Sequence, residues 1–230
     1  MPRRPAAKTK KEPAVGSILQ LKIRLLDVSP MIWRRVLVPV TYTLEELHGL
    51  IQVAMGWESI HLYRFRIHAV HYGSCDLCIS SPRVALEHFR FRKGSKFTYE
   101  YDMGSGWRHE VRVEDGIEPQ SGHTYPFCAD GAHACPPWDC GGPAAYAERR
   151  LEAVGFDAME DIGTLAELVQ KVVLDGKTEC LDEPDTRWRF EQALERVGAR
   201  QPFLTTSFSR HTVNARLMQG EHRVLMHQRL

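Results

Sequence analysis

Residues 43–57 read TLEELHGLIQVAMGW, and this stretch decides the kind of fold the chain adopts. Thr43 and Glu46 make a capping box, in which each satisfies a free backbone N–H of the first helical turn. Leu44, Leu47, Leu50, Ile51, Ala54 and Met55 then recur three or four residues apart, an apolar stripe on one helical face. Gly56 can take the left-handed conformation that ends the helix. One strongly amphipathic helix needs a surface to cover, and the flanking sequence supplies a sheet. Upstream, Leu19, Leu21, Ile23 and Leu25 alternate with Gln20, Lys22 and Arg24. After a turn at Ser29-Pro30, Arg34, Val36, Val38 and Val40 alternate with Trp33, Arg35 and Leu37. Downstream, residues 61–68 (HLYRFRIH), 96–103 (KFTYEYDM) and 107–114 (WRHEVRVE) repeat the period of two. Such alternation implies a sheet with one covered face and one wet face. The expected fold is therefore α+β: a two-layer, mostly antiparallel sheet covered by one main helix, β-grasp-like, with a helical C-terminal extension.

The C-terminal half is less regular. A loop rich in Gly, Pro and Cys spans 115–143, and Gly142-Pro143 suits the start of a helix running through Leu151 and Val154. Thr164 and Glu167 read as a second capping box, and a last helix is expected over Thr186–Val197, ended by Gly198. Beyond Arg200 no period is sustained. The chain thus divides into a basic disordered tail (1–16), an α+β domain (17–155), a helical extension (156–199) and a basic, mostly disordered tail (200–230).

The 230 residues carry a formal net charge of +1, unevenly spread. Residues 1–12 sum to +4 and residues 200–230 to +4, leaving an acidic body of −7. Basic ends on an acidic body suggest arms that offer weak contact to a nucleic acid. The N-terminus has no apolar stretch of a signal peptide. No apolar run approaches the ~18 residues of a membrane span. Six cysteines without an export signal point to the reducing cytoplasm.

Several strings occur together in one order: VSPMIWRRVLVP, TLEELHGLIQVAMGW, HLYRFRI, FTYEYDMGSGWRHEV and YPFCADGAHACPPWDCGGPAAY. In this the chain resembles the plasmid pRiA ORF-three-like family, also labelled passenger proteins of insertion elements, over residues 17–155. The resemblance implies an α+β domain often encoded near mobile DNA, in a family without an established biochemical activity. Ser105 stands where the family usually has an aspartate in its GDGW string. Trp138 stands where it has an acidic residue, and the last 75 residues depart from the family's usual acidic end.

The chemistry-bearing residues suggest three functions. Cys128, Cys135 and Cys140 lie in a loop stiffened by Pro136-Pro137 and turned at Gly141-Gly142. Three thiolates with a fourth ligand, His109 or His123, suit tetrahedral Zn²⁺. Their spacing differs from paired C-x2-C knuckles, and buried reduced thiols fit the same residues. Cys75 and Cys78 form a C-x2-C half-site whose bland reading is a pair of incidental loop thiols. The first function is a non-enzymatic interaction module with a structural zinc; the second is a metal-dependent enzyme centred on the 128–140 loop. The third is nucleic-acid binding through the basic tails. For the folded body, Arg64, Arg66 and His68 share one strand face, and Arg90, Arg92, Lys93 and Lys96 cluster with Phe89, Phe91 and Phe97. Glu100, Asp102, Glu110 and Glu114 are expected on that same wet face, where mixed charge would weaken polyanion binding. Asp102 and Glu110 read as cross-strand partners of Arg108 and Arg112. No Ser/His/Asp set, phosphate-binding glycine loop or H-E-x-x-H motif occurs.

Overall fold

A computed structural model describes residues 17–204 and 207–227. Seven strands run as β1 (Ile18–Leu25), β2 (Trp33–Pro39), β3 (Tyr63–Ile67), β4 (Val70–Gly73), β5 (Lys96–Tyr101), β6 (Trp107–Ile117) and β7 (Phe127–Ala132). They form one sheet in the order β4-β3-β5-β6-β1-β2-β7. Each ladder between these strands is antiparallel. A β-grasp sheet is built on a parallel central pair, so this register does not confirm that layout.

The helix α1 (Leu44–Met55) has the capping box and left-handed end expected of it. Thr43 Oγ1 accepts from the Glu46 N–H, Glu46 accepts from the Thr43 N–H, and Gly56 sits at φ 85°. Leu44, Leu47, Leu50 and Ile51 are sealed in one core with Leu21, Ile23, Val36, Val38, Phe65 and Val111. Burying a side chain of this size stabilises by about 1.5–3 kcal/mol. The alternation of β1, β2, β3, β5 and β6 thus does what the sequence pattern demands, one face inward and one face open.

The helix has company, however. Helices α2 (Gly142–Ala153), α3 (Phe156–Val169), α4 (Pro184–Leu204), α5 (Arg210–Met218) and α6 (Glu221–Leu225) follow. Both α5 and α6 pack on α1, so the expectation of a single covering helix is incomplete. The sequence suggests a mostly disordered tail over 200–230; of its described residues, Arg210–Met218 and Glu221–Leu225 are helical. Val213, Leu217 and Leu225 are buried, and a Cβ on Gly49 of α1 would lie 2.0 Å from the His222 carbonyl oxygen. Arg200, Arg210 and Arg216 in this segment are engaged within the fold. Arg200 pairs with Asp161, Arg210 donates to the Ala129 carbonyl at 3.1 Å, and Arg216 pairs with Glu221 at 2.5 Å. The basic segment 1–16 lies outside the described residues.

Two further boundaries differ from the sequence reading. Thr164 opens no helix; it lies inside α3, its hydroxyl donating to the Glu160 carbonyl at 3.1 Å. Helix α4 continues through Gly198 and Pro202 because tertiary contacts support it, Asp161 of α3 holding Arg196 at 2.6 Å. Those guanidinium partners hold the Asp161 carboxyl down to about 2. Among the described residues, no helix is long and apolar enough to cross a membrane.

Candidate functional site

The three cysteines of the Pro/Gly loop are divided between strand β7, the loop that follows it and the turn before α2. The expected loop 115–143 is shortened, because β6 continues to Ile117 and residues 127–132 form the edge strand β7 against β2. Cys128 lies on β7 opposite Val36 and is fully buried, its thiol donating toward the Asp130 carbonyl at 3.6 Å. Cys135 lies in the following loop and Cys140 just before α2. Their neighbour is a cation: the buried Arg34 guanidinium interacts electrostatically with both Cys128 and Cys135. Burial pushes the Cys128 thiol up to about 11 and the Cys135 thiol to about 12, so both are protonated at neutral pH. His109 stands on β6 between Tyr99 and Trp57, ring centroids 5.2 and 5.4 Å away. Burial lowers it to about 3 against the opposing pull of the Tyr99 and Trp107 backbone, which lies close to the ring but outside good hydrogen-bond geometry. Among the described residues, no group of three or more His, Cys, Asp or Glu is placed to hold a metal ion. His123 and the exposed Cys75 and Cys78 fall under the same statement.

Arg34 itself explains an oddity in the sequence, a charged residue on the apolar face of β2. Its Nε donates to the Ala54 carbonyl at 2.9 Å, and its Nη1 to the carbonyls of Trp33 at 2.8 Å and Ala132 at 3.0 Å. Ala54 is in the last turn of α1, which has no basic residue of its own. Arg34 therefore caps the negative end of the helix dipole. Phe208 covers its guanidinium at 4.1 Å.

A second polar group lies in the core. His48 on α1 meets the Tyr99 hydroxyl at 2.7 Å through Nδ1 and the Ser59 hydroxyl at 2.8 Å through Nε2. Gln52 donates to the Tyr99 hydroxyl at 2.9 Å and accepts from the Ser59 N–H at 2.9 Å. The composition suggests a serine–histidine pair, but Ser59, His48, Gln52 and Tyr99 are all fully buried. No substrate reaches them. They form a satisfied polar network that fixes the register of α1 on the sheet.

The open face of the sheet is different. Lys22 and Arg24 of β1, Arg35 of β2, Arg64 and Arg66 of β3, Lys96 of β5, and Arg108 and Arg112 of β6 stand on it. Against these eight stand five acidic side chains, Glu100, Glu110, Glu114, Asp115 and Asp130. Asp102 has left the strand, with φ 51°, and holds the following turn by accepting from the Gly104 N–H at 3.1 Å. Glu110 pairs with Lys96 at 2.8 Å, while Arg108 pairs with Asp27 at 2.8 Å. The acidic charge of the body lies elsewhere: residues 142–199 carry thirteen Asp and Glu against seven Lys and Arg.

The register arranges four of these cations in a line. Lys96 lies directly opposite Arg112, Arg112 opposite Lys22, and Lys22 opposite Arg35, across the adjacent strands β5, β6, β1 and β2. Neighbouring strands are about 4.8 Å apart, so the row is roughly 15 Å long. Like charges directly opposite each other destabilise a sheet, and here three such pairs follow in succession. Lys96 and Arg35 have carboxylate partners, Glu110 and Glu114. Among the described residues, Lys22 and Arg112 have no carboxylate within ion-pair distance. Beside the row lies Trp33, its ring 4.5 Å from Lys22 Nζ and 5.2 Å from the Arg35 guanidinium. The aromatic cluster expected to accompany the basic residues is not on this face. Phe89, Phe91 and Phe97 stack on one another in the core, with 5.0 Å between the Phe91 and Phe97 centroids.

Comparison with other proteins places these features in a family. Residues 17–171 match the plasmid pRiA4b ORF-3-like protein family. The chain is 40% identical over 140 residues to the uncharacterized protein y4hQ of Sinorhizobium fredii (strain NBRC 101917 / NGR234), covering 58% of this chain and 72% of that one. It is also similar to the crystal structure of MM3350, a protein of unknown function from Methanosarcina mazei Go1. That match has 31% identity and a TM-score of 0.57, over 64% of this chain and 88% of the other.

Proposed function

The chain belongs to the plasmid pRiA4b ORF-3-like protein family, and from that premise we propose that it is a non-enzymatic binding module whose open sheet face takes a single-stranded nucleic acid by its phosphates. One observation carries the reading: the row Lys96–Arg112–Lys22–Arg35, four cations held side by side by the strand register. Such a row costs stability in the free protein and suits a ligand whose negative charges also come in a line. A flat sheet admits a single strand more readily than a duplex, whose grooves ask for an inserted helix or ribbon. Trp33 offers one stacking surface beside the row, too little to read a sequence. The binding is therefore indifferent to base identity. This differs from tail-mediated binding, since Arg200, Arg210 and Arg216 are engaged within the fold.

Fluorescence anisotropy with a labelled oligonucleotide of mixed sequence tests this. Four phosphate contacts on a single strand give a slope of about −3 in log K against log salt. Non-specific affinity at physiological salt is expected at roughly 10⁻⁴–10⁻⁶ M. Lys22→Gln and Arg112→Gln should each weaken binding and reduce the slope by about 1. Arg189→Gln on α4 should leave both unchanged. Equal loss from all three variants, or no binding by the intact chain at low salt, would overturn the proposal.

A further inference from the structure

Of the six cysteines, only Cys75 and Cys78 are exposed. Cys128 and Cys140 are buried and Cys135 is half-buried, and burial raises all three thiols. Cys180 is half-buried too, its thiol donating to the Lys177 carbonyl at 3.0 Å. A free cysteine is among the most buried residue types, and its reactivity decides what an exposed one does. Here two exposed thiols stand three positions apart.

The fold places this pair directly after strand β4, where Cys75–Leu77 form a single 3₁₀ turn. The Leu77 N–H donates to the Ser74 carbonyl at 3.1 Å, and the Cys78 N–H donates to the Cys75 carbonyl at 3.0 Å. A turn closed by a bond between residues i and i+3 holds their Cα atoms within about 7 Å. A disulfide needs about 4.4–6.8 Å between the same atoms. Both ends of the loop are anchored as well. The Tyr63 N–H of β3 donates to the Ser74 hydroxyl at 3.0 Å, and the Ser74 N–H donates to the Tyr63 carbonyl at 3.1 Å. Gly73 and His71 hold Ser80 through two backbone bonds of 3.1 Å. The two thiols are thus carried on a short loop whose ends are fixed. Bringing them together asks for rotation within the turn and no movement of the sheet.

We propose that Cys75 and Cys78 are a reversible dithiol–disulfide pair that exchanges with low-molecular-weight disulfides such as oxidised glutathione. One thiol loses its proton, and its sulfur attacks the small disulfide, forming a mixed disulfide and releasing one small thiolate. The second cysteine, also deprotonated, attacks the protein sulfur of that mixed disulfide and expels the other small thiolate. The two small thiolates take up the two protons that the cysteines gave up. The protein is oxidised by two electrons, one S–S bond replaces another, and the small disulfide leaves as two thiols. The turn favours the second step, because it holds the resolving thiol at an effective concentration of about 1 mM or above. The pair lies beside β4, at one end of the sheet, whereas the cation row crosses β5, β6, β1 and β2. The inference therefore goes beyond the nucleic-acid reading and does not depend on it.

Mass spectrometry of the full chain, equilibrated in glutathione buffers and quenched with acid, tests the proposal. The native protein should lose two hydrogens, and peptide mapping should place the new disulfide between Cys75 and Cys78. At about 0.1 mM total glutathione, ring closure should exceed the mixed disulfide at least about tenfold. Cys75→Ser and Cys78→Ser should each stop at a single glutathione adduct; both residues are exposed, so neither variant loses core packing. The ring should also close at least about tenfold more readily in the native chain than in urea, because the native turn already holds the two residues together. Excess dithiothreitol should restore both thiols. Two separate adducts on the native chain, no reaction at either cysteine, a disulfide to another cysteine, or closure no easier than in urea each overturns the proposal.

Discussion

Replacing Arg34 with alanine should be among the most damaging single changes in this protein. The guanidinium gives three hydrogen bonds to backbone carbonyls, those of Ala54, Trp33 and Ala132, and joins α1, β2 and β7 at one point. Hydrogen bonds from a charged donor are worth about 1.5–3 kcal/mol each, and a buried carbonyl left without a donor costs about 1–3 kcal/mol. The Phe208 ring stacked at 4.1 Å adds roughly 0.5–2 kcal/mol. Against these stands the burial of a positive charge, which holds the Arg34 pKa below its usual value. Since β-ladder bonds share some of these carbonyls, the net loss should be about 3–5 kcal/mol, the range for breaking a buried charged group's contacts. Urea melts followed by tryptophan fluorescence suit the measurement, because Trp57 and Trp107 are buried beside this region. Arg34→Lys should recover less than half of the loss, since a single ammonium cannot span carbonyls on three elements. A loss below about 1 kcal/mol, or a lysine variant as stable as the original, would refute the view that Arg34 ties the helix end to the sheet.

Three more outcomes are expected. Gly49→Ala should destabilise by about 1–3 kcal/mol and expose α6 to proteolysis, because the new methyl group meets the His222 backbone; unchanged protease resistance would show that α6 is not docked there. His48 and His109 are held neutral to about 3, while the unfolded chain binds protons near 6.5. Their folded values are depressed, so they cost nothing above pH 6.5 and stability falls as pH drops from there toward 3, by about 1.4 kcal/mol per pH unit for each histidine. His109→Leu should remove one such increment from the slope between pH 6 and 5 and leave stability at pH 7 within about 1 kcal/mol, since the ring makes no hydrogen bond of good geometry; a fall of several kcal/mol would favour a ligand role. Chelation should not shift the melting temperature if Cys128, Cys135 and Cys140 are buried reduced thiols, and a drop of ten degrees with release of zinc would assign them to a metal instead.

What could be read from the sequence followed from local rules, and what could not depended on partners far away along the chain. The capping box at Thr43, the stripe of α1 and the alternation of β1, β2, β3, β5 and β6 each involve residues within a few positions of one another. Edge strand β7 escaped because FCADGA holds three small residues, Ala129, Gly131 and Ala132, and no alternation, and it is kept in place by pairing with β2. Helices α5 and α6 escaped because their apolar anchors are sparse: Val213, Leu217 and Leu225 among polar neighbours. The Ser209 cap, accepting from the Thr212 N–H at 3.2 Å, was the signal available. The cysteine spacing carried no information about direction, whereas the strand period of β7 turns Cys128 inward beneath Arg34. The cation row shows the same limit most plainly. Lys22, Arg35, Lys96 and Arg112 are scattered over ninety residues, and each taken alone is an ordinary charge on a wet strand face. Shifting any one ladder by a single residue would turn a cation inward and break the line. The row is therefore a property of three registers together, and one ladder is offset by the bulge between Gln20 and Leu21. That bulge lets Glu114 reach Arg35 at 2.5 Å while Lys22 keeps its place opposite Arg112. A sheet that needed only stability could have placed a carboxylate at one of the four positions, and it is the absence of any there that leaves four cations in an unbroken line.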